Sequence, residues 1–303
     1  HKKEAFFEIV RICCLQGRYR EAHDILEFNV LPLGMDEAKF HTLHAYLHRK
    51  LKDCPDAIPM HREDWVKFAA NNQKKAFACD PLEYWGLCEE VFREGGDGAA
   101  ALAKAEKNRG IKAQQLMESV CDYFGIGAWD EVIALCDAAL AKAAGEKTYE
   151  TEGALPLKET LAACDSYRNP MFGYFRAFAQ KRLRPEVEVE VEKINWIYCF
   201  PSRLEEQEVL QWAAENLKPD ADTQYFLGEI LWNMDQKDAA LAAWKKAVEL
   251  NPQHALALRC IGFGLSHPGT YFTNTGVPTG IASKEAYGYL LKSLEADPTN
   301  FRT

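Results

Sequence analysis

The hydrophobic positions of the chain recur with helical spacing, most regularly between Ala221 and Pro252. Large and small apolar residues follow one another there at fixed offsets, beginning with the pair Leu227-Gly228. A residue without a side chain lets two helices cross closely, and residues three or four positions apart share one helix face. The pattern therefore predicts two packed helices joined by a short turn. Its other positions are Leu231, Ala240, Trp244, Ala247 and Pro252, and Gln224 stands where a bulky apolar residue is usual.

This spacing resembles that of the tetratricopeptide repeat, a helix-turn-helix unit of about 34 residues. A second unit begins on schedule, because Ile261-Gly262 lies 34 positions after Leu227-Gly228. Its first helix is predicted at about residues 253–266. Glycine and proline then interrupt residues 267–282, and a helical pattern resumes near Ser283. We therefore predict an inserted loop at 267–282 between the two helices of this unit.

The sequence before these units is also helical in pattern but fits the repeat poorly. We expect an all-α fold, an α-solenoid of tetratricopeptide-like helix-turn-helix repeats that is degenerate in its N-terminal half. The predicted division is a degenerate helical region at 1–185 and regular repeats at 186–303. Glutamate and valine alternate over 186–192, which suits a strand, but a helix that starts after Pro185 is favoured. The other predicted helices are 6–16, 19–28, 36–51, 62–78, 81–94, 98–108, 114–124, 129–141, 169–183 and 209–219.

Composition and charge narrow the classes of partner. The 303 residues are 48% hydrophobic and 27% charged, as in an ordinary folded chain. A net charge of -9 opposes binding to nucleic-acid phosphates, and no apolar run approaches the roughly 18 residues of a membrane span. The ten cysteines form no C-x-x-C pair, so we expect reduced thiols and a cytoplasmic protein. Because the chain begins with His1 rather than Met, we expect a piece of a longer protein.

Several short stretches, taken in order, resemble one group of tetratricopeptide-repeat proteins. These are the C-terminal halves of large bacterial proteins whose N-terminal half is a β-rich domain of unknown function. The most specific stretch is Cys199-Phe200-Pro201-Ser202-Arg203. The resemblance covers most of the chain and implies the fold, but it implies no catalytic residue, and the residues 267–282 depart from the pattern. The other stretches lie at 17–22, 80–85, 169–172 and 225–228.

Candidate binding residues follow from the repeat resemblance. In such arrays the first helix of each unit lines the concave face, with its second, fifth, ninth, twelfth and thirteenth positions pointing inward. Tyrosine, tryptophan and arginine dominate binding energy when they are desolvated, and asparagine both donates to and accepts from a peptide backbone. Trp232 and Phe263 suit core packing equally well, and Tyr271 and Phe272 of the loop either close over the groove or fold against the helices. The predicted partner-binding residues are Tyr225, Glu229, Trp232, Asn233, Arg259 and Phe263.

Two other constellations suggest chemistry. His41, His44 and His48 recur at i, i+3 and i+7 on one helix face, a spacing that can bring imidazoles to a metal ion. We favour surface or groove histidines here, with no metal and no cofactor. The glutamates of 186–192 and the pairs Glu89-Glu90 and Glu205-Glu206 could supply acid-base carboxylates, but a solvated helix face is favoured, since neighbouring residues on a helix point in different directions.

The sequence therefore predicts a protein- or peptide-binding scaffold that is not an enzyme. In one form of this hypothesis, the partner is a missing N-terminal domain of the same polypeptide, which the repeats brace. The alternative is the helical part of a carbohydrate-active enzyme, which requires two carboxylates across a cleft. A third hypothesis is a helical metal-binding protein built on the three histidines. Fold alone does not decide among these functions.

Overall fold

A computed structural model describes residues 2–30, 37–54, 62–146, 164–193, 199–266 and 284–298. All regular structure in these ranges is helical, which confirms the predicted all-α class. No helix in them has the length and apolar character that a membrane crossing requires. The predicted loop at 267–282, with Tyr271 and Phe272, lies outside the described residues.

The chain forms two compact units, and the first comprises residues 1–146, 165–168 and 179–187. A single turn of π-helix at Leu26–Val30 continues its second helix. Within this unit helices pack both on the next helix along the chain and on the one after it. Its helices are α1 (Lys2–Leu15), α2 (Tyr19–Ile25), α3 (Ala38–Leu51), α4 (Arg62–Cys79), α5 (Tyr84–Arg93), α6 (Gly98–Arg109), α7 (Ala113–Gly125) and α8 (Trp129–Ala143).

The second unit comprises residues 147–164, 169–178 and 188–303, so helix α9 (Met171–Leu183) is divided between the two units. From α10 onward each helix packs on the next, which is the arrangement predicted for a solenoid. The division at residue 185 that repeat regularity suggests stays a prediction. The remaining helices are α10 (Leu204–Asn216), α11 (Ala221–Asn233), α12 (Lys237–Leu250), α13 (Ala255–Ser266) and α14 (Lys284–Ala296).

Two glycines bring paired helices of the second unit into close contact. A Cβ atom on Gly228 of α11 would lie 2.3 Å from Cδ1 of Trp244 on α12. A Cβ atom on Gly262 of α13 would lie 2.6 Å from Cγ of Leu290 on α14. Real Cβ atoms do not approach other carbons so closely, so each glycine provides the space that the opposite side chain fills. Trp244 is accordingly 2% exposed.

The Cys199–Arg203 stretch leads into α10 and takes part in its N-terminal capping. The backbone N–H groups of Ser202 and Arg203 donate to Oε2 of Glu206, at 2.7 and 2.8 Å, and so satisfy amides that lack a partner in the helix. Cys199 Sγ donates to Oδ1 of Asn169 at 3.4 Å, and the same oxygen accepts the first amide of α9 at 2.9 Å. Two stretches that carry the family resemblance therefore meet in the structure.

The helix predicted after Pro185 is wrong, and so is its strand alternative. Residues 184–193 have neither helical nor strand structure. The glutamates of this segment are exposed, while Val189 and Val191 are half-buried. Alternation with a period of two does not produce a helical face, and the described residues include no neighbouring strand with which the segment could pair.

The histidines of α3 are not surface residues, so that prediction is also wrong. His41, His44 and His48 are 3%, 2% and 4% exposed. Helix α3 packs against α2, α4 and α5, and 11 of its 14 residues are buried. A helix covered from several sides buries its polar positions together with its apolar ones.

The cysteines are thiols, as the sequence predicts, because all ten are free. Six of them are buried.

Arg49 joins three helices of the first unit through buried ion pairs. Its Nε and Nη2 donate to both carboxylate oxygens of Glu89 on α5, at 2.6 and 2.9 Å, and Nη2 also donates to Glu131 on α8 at 2.8 Å. Lys50 reaches the same Glu131 oxygen at 2.8 Å, and the Tyr123 hydroxyl donates to Glu89 at 3.0 Å. Burial alone would raise the pKa of Glu131, but the two cations outweigh it and lower that pKa.

Replacing Arg49 with Met is expected to lower the free energy of unfolding by about 3–5 kcal/mol, because Glu89 then loses its counter-ion while fully buried. Denaturant unfolding followed by circular dichroism measures this. Lys67→Met is the control, since the ion pair of Lys67 with Asp64 is exposed and its loss should cost about 0.5 kcal/mol or less. Equal effects of the two substitutions would contradict the role given to Arg49.

Gly228→Ala is expected to destabilise the protein by about 1–3 kcal/mol, because the added methyl group overlaps the Trp244 ring. Gly288→Ala is the matched control within α14, where nothing lies within 4 Å of an added Cβ. That substitution should stabilise the helix by about 0.5–1 kcal/mol. Thermal unfolding of both variants tests the opposite signs, and a shift in the same direction would be inconsistent with close packing at Gly228.

Candidate functional site

The structure brings the predicted binding residues of α11 and α13 next to one another. The ring centroids of Trp232 and Phe263 are 6.0 Å apart, and Cys260 Sγ donates to Oε1 of Glu229 at 3.2 Å. Gly264 permits this approach, because a Cβ there would lie 3.2 Å from Cζ3 of Trp232. The first helices of the two repeats thus form one continuous surface, which we call the α11–α13 face.

Tyr225 lies beneath this face rather than on it. Its side chain is 3% exposed, and its ring centroid is 5.3 Å from that of Phe226 and 5.0 Å from that of His254. Burial raises the pKa of the Tyr225 hydroxyl well above its usual value, so the phenol stays neutral. The ring of Tyr225 therefore helps to pack α11 against the start of α13.

His254 holds the beginning of α13 and was not among the predicted residues. Its Nδ1 accepts the backbone N–H of Ala257 at 3.1 Å, which satisfies one of the free amides of the helix N-terminus. Since Nδ1 is the acceptor, the proton of the neutral ring is on Nε2, which faces Oδ1 of Asp222 at 3.2 Å. The signal in the sequence is a polar residue in the first turn of the helix predicted at about residues 253–266.

Trp232 is half-buried at the centre of the α11–α13 face. The Lys237 ammonium group lies 4.1 Å from the centroid of its ring and also donates to the Trp232 carbonyl at 3.2 Å. The ring centroid of Trp244 is 5.4 Å away. A cation over an aromatic face is attracted by the electrons of the ring, and here it fixes the indole in place.

The remaining predicted residues differ in exposure. Phe263 is 43% exposed, and Asn233 is exposed. Glu229 and Arg259 are half-buried, so the face carries one acidic and one basic group beside its aromatic rings. A surface of this kind has an apolar contact point with polar groups around it, which is the usual anatomy of a protein-binding patch.

A cavity of about 460 Å³ lies at the N-terminal end of α11, under the segment 189–193. Two pairs of its polar groups interact: Lys193 Nζ is 2.7 Å from Oδ1 of Asp220, and the Tyr174 hydroxyl is 2.8 Å from that of Thr223. Partial burial opposes ionisation of Asp220, but hydrogen bonds from Lys193 and Thr223 lower its pKa. Glu190, Glu192 and Lys218 also line the cavity, so its wall is both apolar and charged.

Comparison with known proteins identifies the repeat. Residues 221–254, which contain α11 and α12, match the tetratricopeptide repeat family. A search of curated proteins finds no match to the chain. A tetratricopeptide repeat is therefore present, and repeats of this family generally mediate protein–protein interaction. The resemblance to large bacterial proteins stays a prediction.

Tyr225→Ala is expected to cost about 3–5 kcal/mol of folding free energy, because it removes a buried ring and leaves a cavity. Phe263→Ala should cost about 1 kcal/mol or less, since that ring is 43% exposed. Urea unfolding of the two variants compares these costs directly. If Phe263→Ala unfolds the protein as readily as Tyr225→Ala, Phe263 is a packing residue and not part of an open surface.

Proposed function

We propose that the α11–α13 face binds a peptide segment of another protein, with Trp232 and Phe263 as its apolar contact. The observation that carries the proposal is the exposed Phe263 ring, 43% accessible beside the half-buried Trp232, on the first helices of adjoining repeats. An apolar side chain of a partner that covers these rings would remove exposed aromatic surface from water.

Polar residues around the rings suit the rest of a peptide. Asn233 follows Trp232 and is exposed, so its amide is available to donate to and accept from a peptide backbone. Glu229 and Arg259 place charges of both signs next to the rings. These groups would select among apolar peptides through the charge of the residues that flank the apolar anchor.

Binding rather than catalysis is the role that we propose for the chain. Two of the carboxylates considered as acid-base candidates already have structural partners, because Glu89 is held by Arg49 and Glu206 caps α10. In the bracing form of the proposal, the partner is an N-terminal domain of the same polypeptide. A reducing, cytoplasmic setting accords with ten free cysteines, and a net charge of -9 opposes nucleic-acid partners.

Selection from a displayed peptide library, with the whole chain as the immobilised target, tests the proposal. We expect enrichment of peptides that share an apolar or aromatic anchor residue. The variant Phe263→Ala should bind the enriched peptides about 30-fold more weakly, since truncation of an interface aromatic commonly costs about 2 kcal/mol. Fluorescence anisotropy with a labelled peptide measures the two dissociation constants.

Phe200→Ala is the matched control for this experiment. Phe200 is 51% exposed and belongs to the same unit, but it lies before α10 rather than on the α11–α13 face. Its substitution should leave peptide affinity unchanged. Equal losses in the two phenylalanine variants, or peptides that bind Phe263→Ala as tightly as the unmodified chain, would reject the α11–α13 face as the binding surface.

A further inference from the structure

Three buried histidines of the first unit converge on one point. His23 is on α2, and His44 and His48 are one helical turn apart on α3. They are 7%, 2% and 4% exposed. Each offers a ring nitrogen, and these three nitrogens lie within 4.8 Å of one another. The trio differs from the one that sequence spacing suggested, because His23 from another helix takes the place of His41.

Hydrogen bonds already fix the tautomer of two of the rings. His48 Nδ1 is 2.7 Å from the carbonyl oxygen of His44, and His23 Nδ1 is 3.1 Å from Oδ1 of Asp24. Carbonyl and carboxylate oxygens only accept, so both Nδ1 atoms carry protons. In the neutral form of each ring, Nε2 then has a free lone pair. An imidazole that donates to an oxygen through one nitrogen and offers the other is the usual state of a metal-binding histidine.

His44 has ring nitrogens that the described residues do not satisfy. Neither Nδ1 nor Nε2 makes a hydrogen bond, although Glu27 Oε2 is 3.4 Å from Nε2, within ion-pair distance. A polar side chain that is 2% exposed normally has a partner, because burial removes its water. A metal ion at the meeting point of the three rings would supply that partner.

An aromatic side chain lies against the cluster. The ring centroid of Trp65 is 5.7 Å from that of His23 and 5.4 Å from that of His48. The three imidazoles are therefore held in a packed, largely buried setting, so their positions relative to one another are fixed before any ion binds.

The π-helical turn at Leu26–Val30 places a carboxylate oxygen beside the cluster. This turn carries Glu27, whose side chain is 43% exposed and reaches His44. Single π-helical turns are rare and occur often at functional sites, because the extra residue redirects side chains. Glu27 therefore places a partly exposed carboxylate at the edge of the buried cluster.

We propose that His23, His44 and His48 together bind a zinc ion, with water in the fourth ligand position. Imidazole ligands favour zinc and its neighbours in the transition series, whereas calcium and magnesium require oxygen ligands. Three protein ligands and one open position make a zinc site that can bind or activate a small molecule, unlike the closed four-ligand site of a purely structural zinc. The site is independent of the proposed peptide-binding role.

Direct metal binding tests the proposal. The whole chain, prepared without a polyhistidine tag, is titrated with zinc in competition with a chromophoric chelator. About one equivalent should bind, and Co²⁺ in its place should give the intense visible absorption of a four-coordinate ion. No binding of zinc in competition with the chelator, or the weak spectrum of six-coordinate Co²⁺, would overturn the proposal.

Substitutions locate the ion. His23→Gln and His44→Gln should each weaken zinc binding by at least about 100-fold, because each removes a ligand. His41→Gln is the matched control, since His41 is 3% exposed on the same helix but outside the converging trio. It should bind zinc as the unmodified chain does. Equal loss in His41→Gln would place the ion elsewhere.

Substitutions at two exposed residues test the site without removing a buried side chain. Asp24 is 38% exposed, and Asp24→Ala should weaken zinc binding about 10-fold, because the acceptor that orients His23 is gone. Arg20→Ala removes the 4.0 Å ion pair of Arg20 with Asp24 without altering the His23 contact, so affinity should stay the same. Circular dichroism confirms that both variants are folded. Full affinity in Asp24→Ala, together with full affinity in His23→Gln, would exclude His23 as a ligand.

Discussion

The structure depends on positions where a residue without a side chain lets two helices touch. Gly228 faces the Trp244 indole, and Gly262 faces Leu290, so each of these side chains lies directly against the backbone of the opposite helix. The same device appears in the first unit, where a Cβ on Gly98 would lie 1.9 Å from the carbonyl oxygen of Ala134. Close packing of this kind has no tolerance for an added methyl group, and it fixes which faces of α11 and α13 remain open.

The two units are stabilised in different ways. The second unit relies on nearest-neighbour helix contacts and aromatic packing around Trp244. The first unit adds a buried charge network, in which Arg49 holds two glutamates that water no longer reaches. Charges in such a place are costly unless every one of them is paired, so the network specifies one arrangement of α3, α5 and α8.

Much of the fold could be predicted from sequence, because helical periodicity and the Leu-Gly and Trp spacing depend on local contacts. The peptide-binding candidates were found through the same spacing, although the structure shows that Tyr225 is buried where Phe263 is open. The histidine cluster could not be found in this way. His23 and His44 are on different helices, and only the packing of α2 on α3 brings them together. The helix predicted after Pro185 is wrong, because residues that alternate with a period of two form no helical face.

The ion network of Arg49 has a consequence for the order in which the first unit is completed. Glu89 follows Arg49 by 40 residues and Glu131 by 82 residues. During synthesis, Arg49 emerges before either glutamate, so its ion pairs cannot form until both glutamates have followed. Contacts between residues so far apart form only after the intervening chain has been brought together, at a cost in loop entropy. The first unit therefore closes around Arg49 only once α8 has left the ribosome, while the helix pairs of the second unit need no such delay.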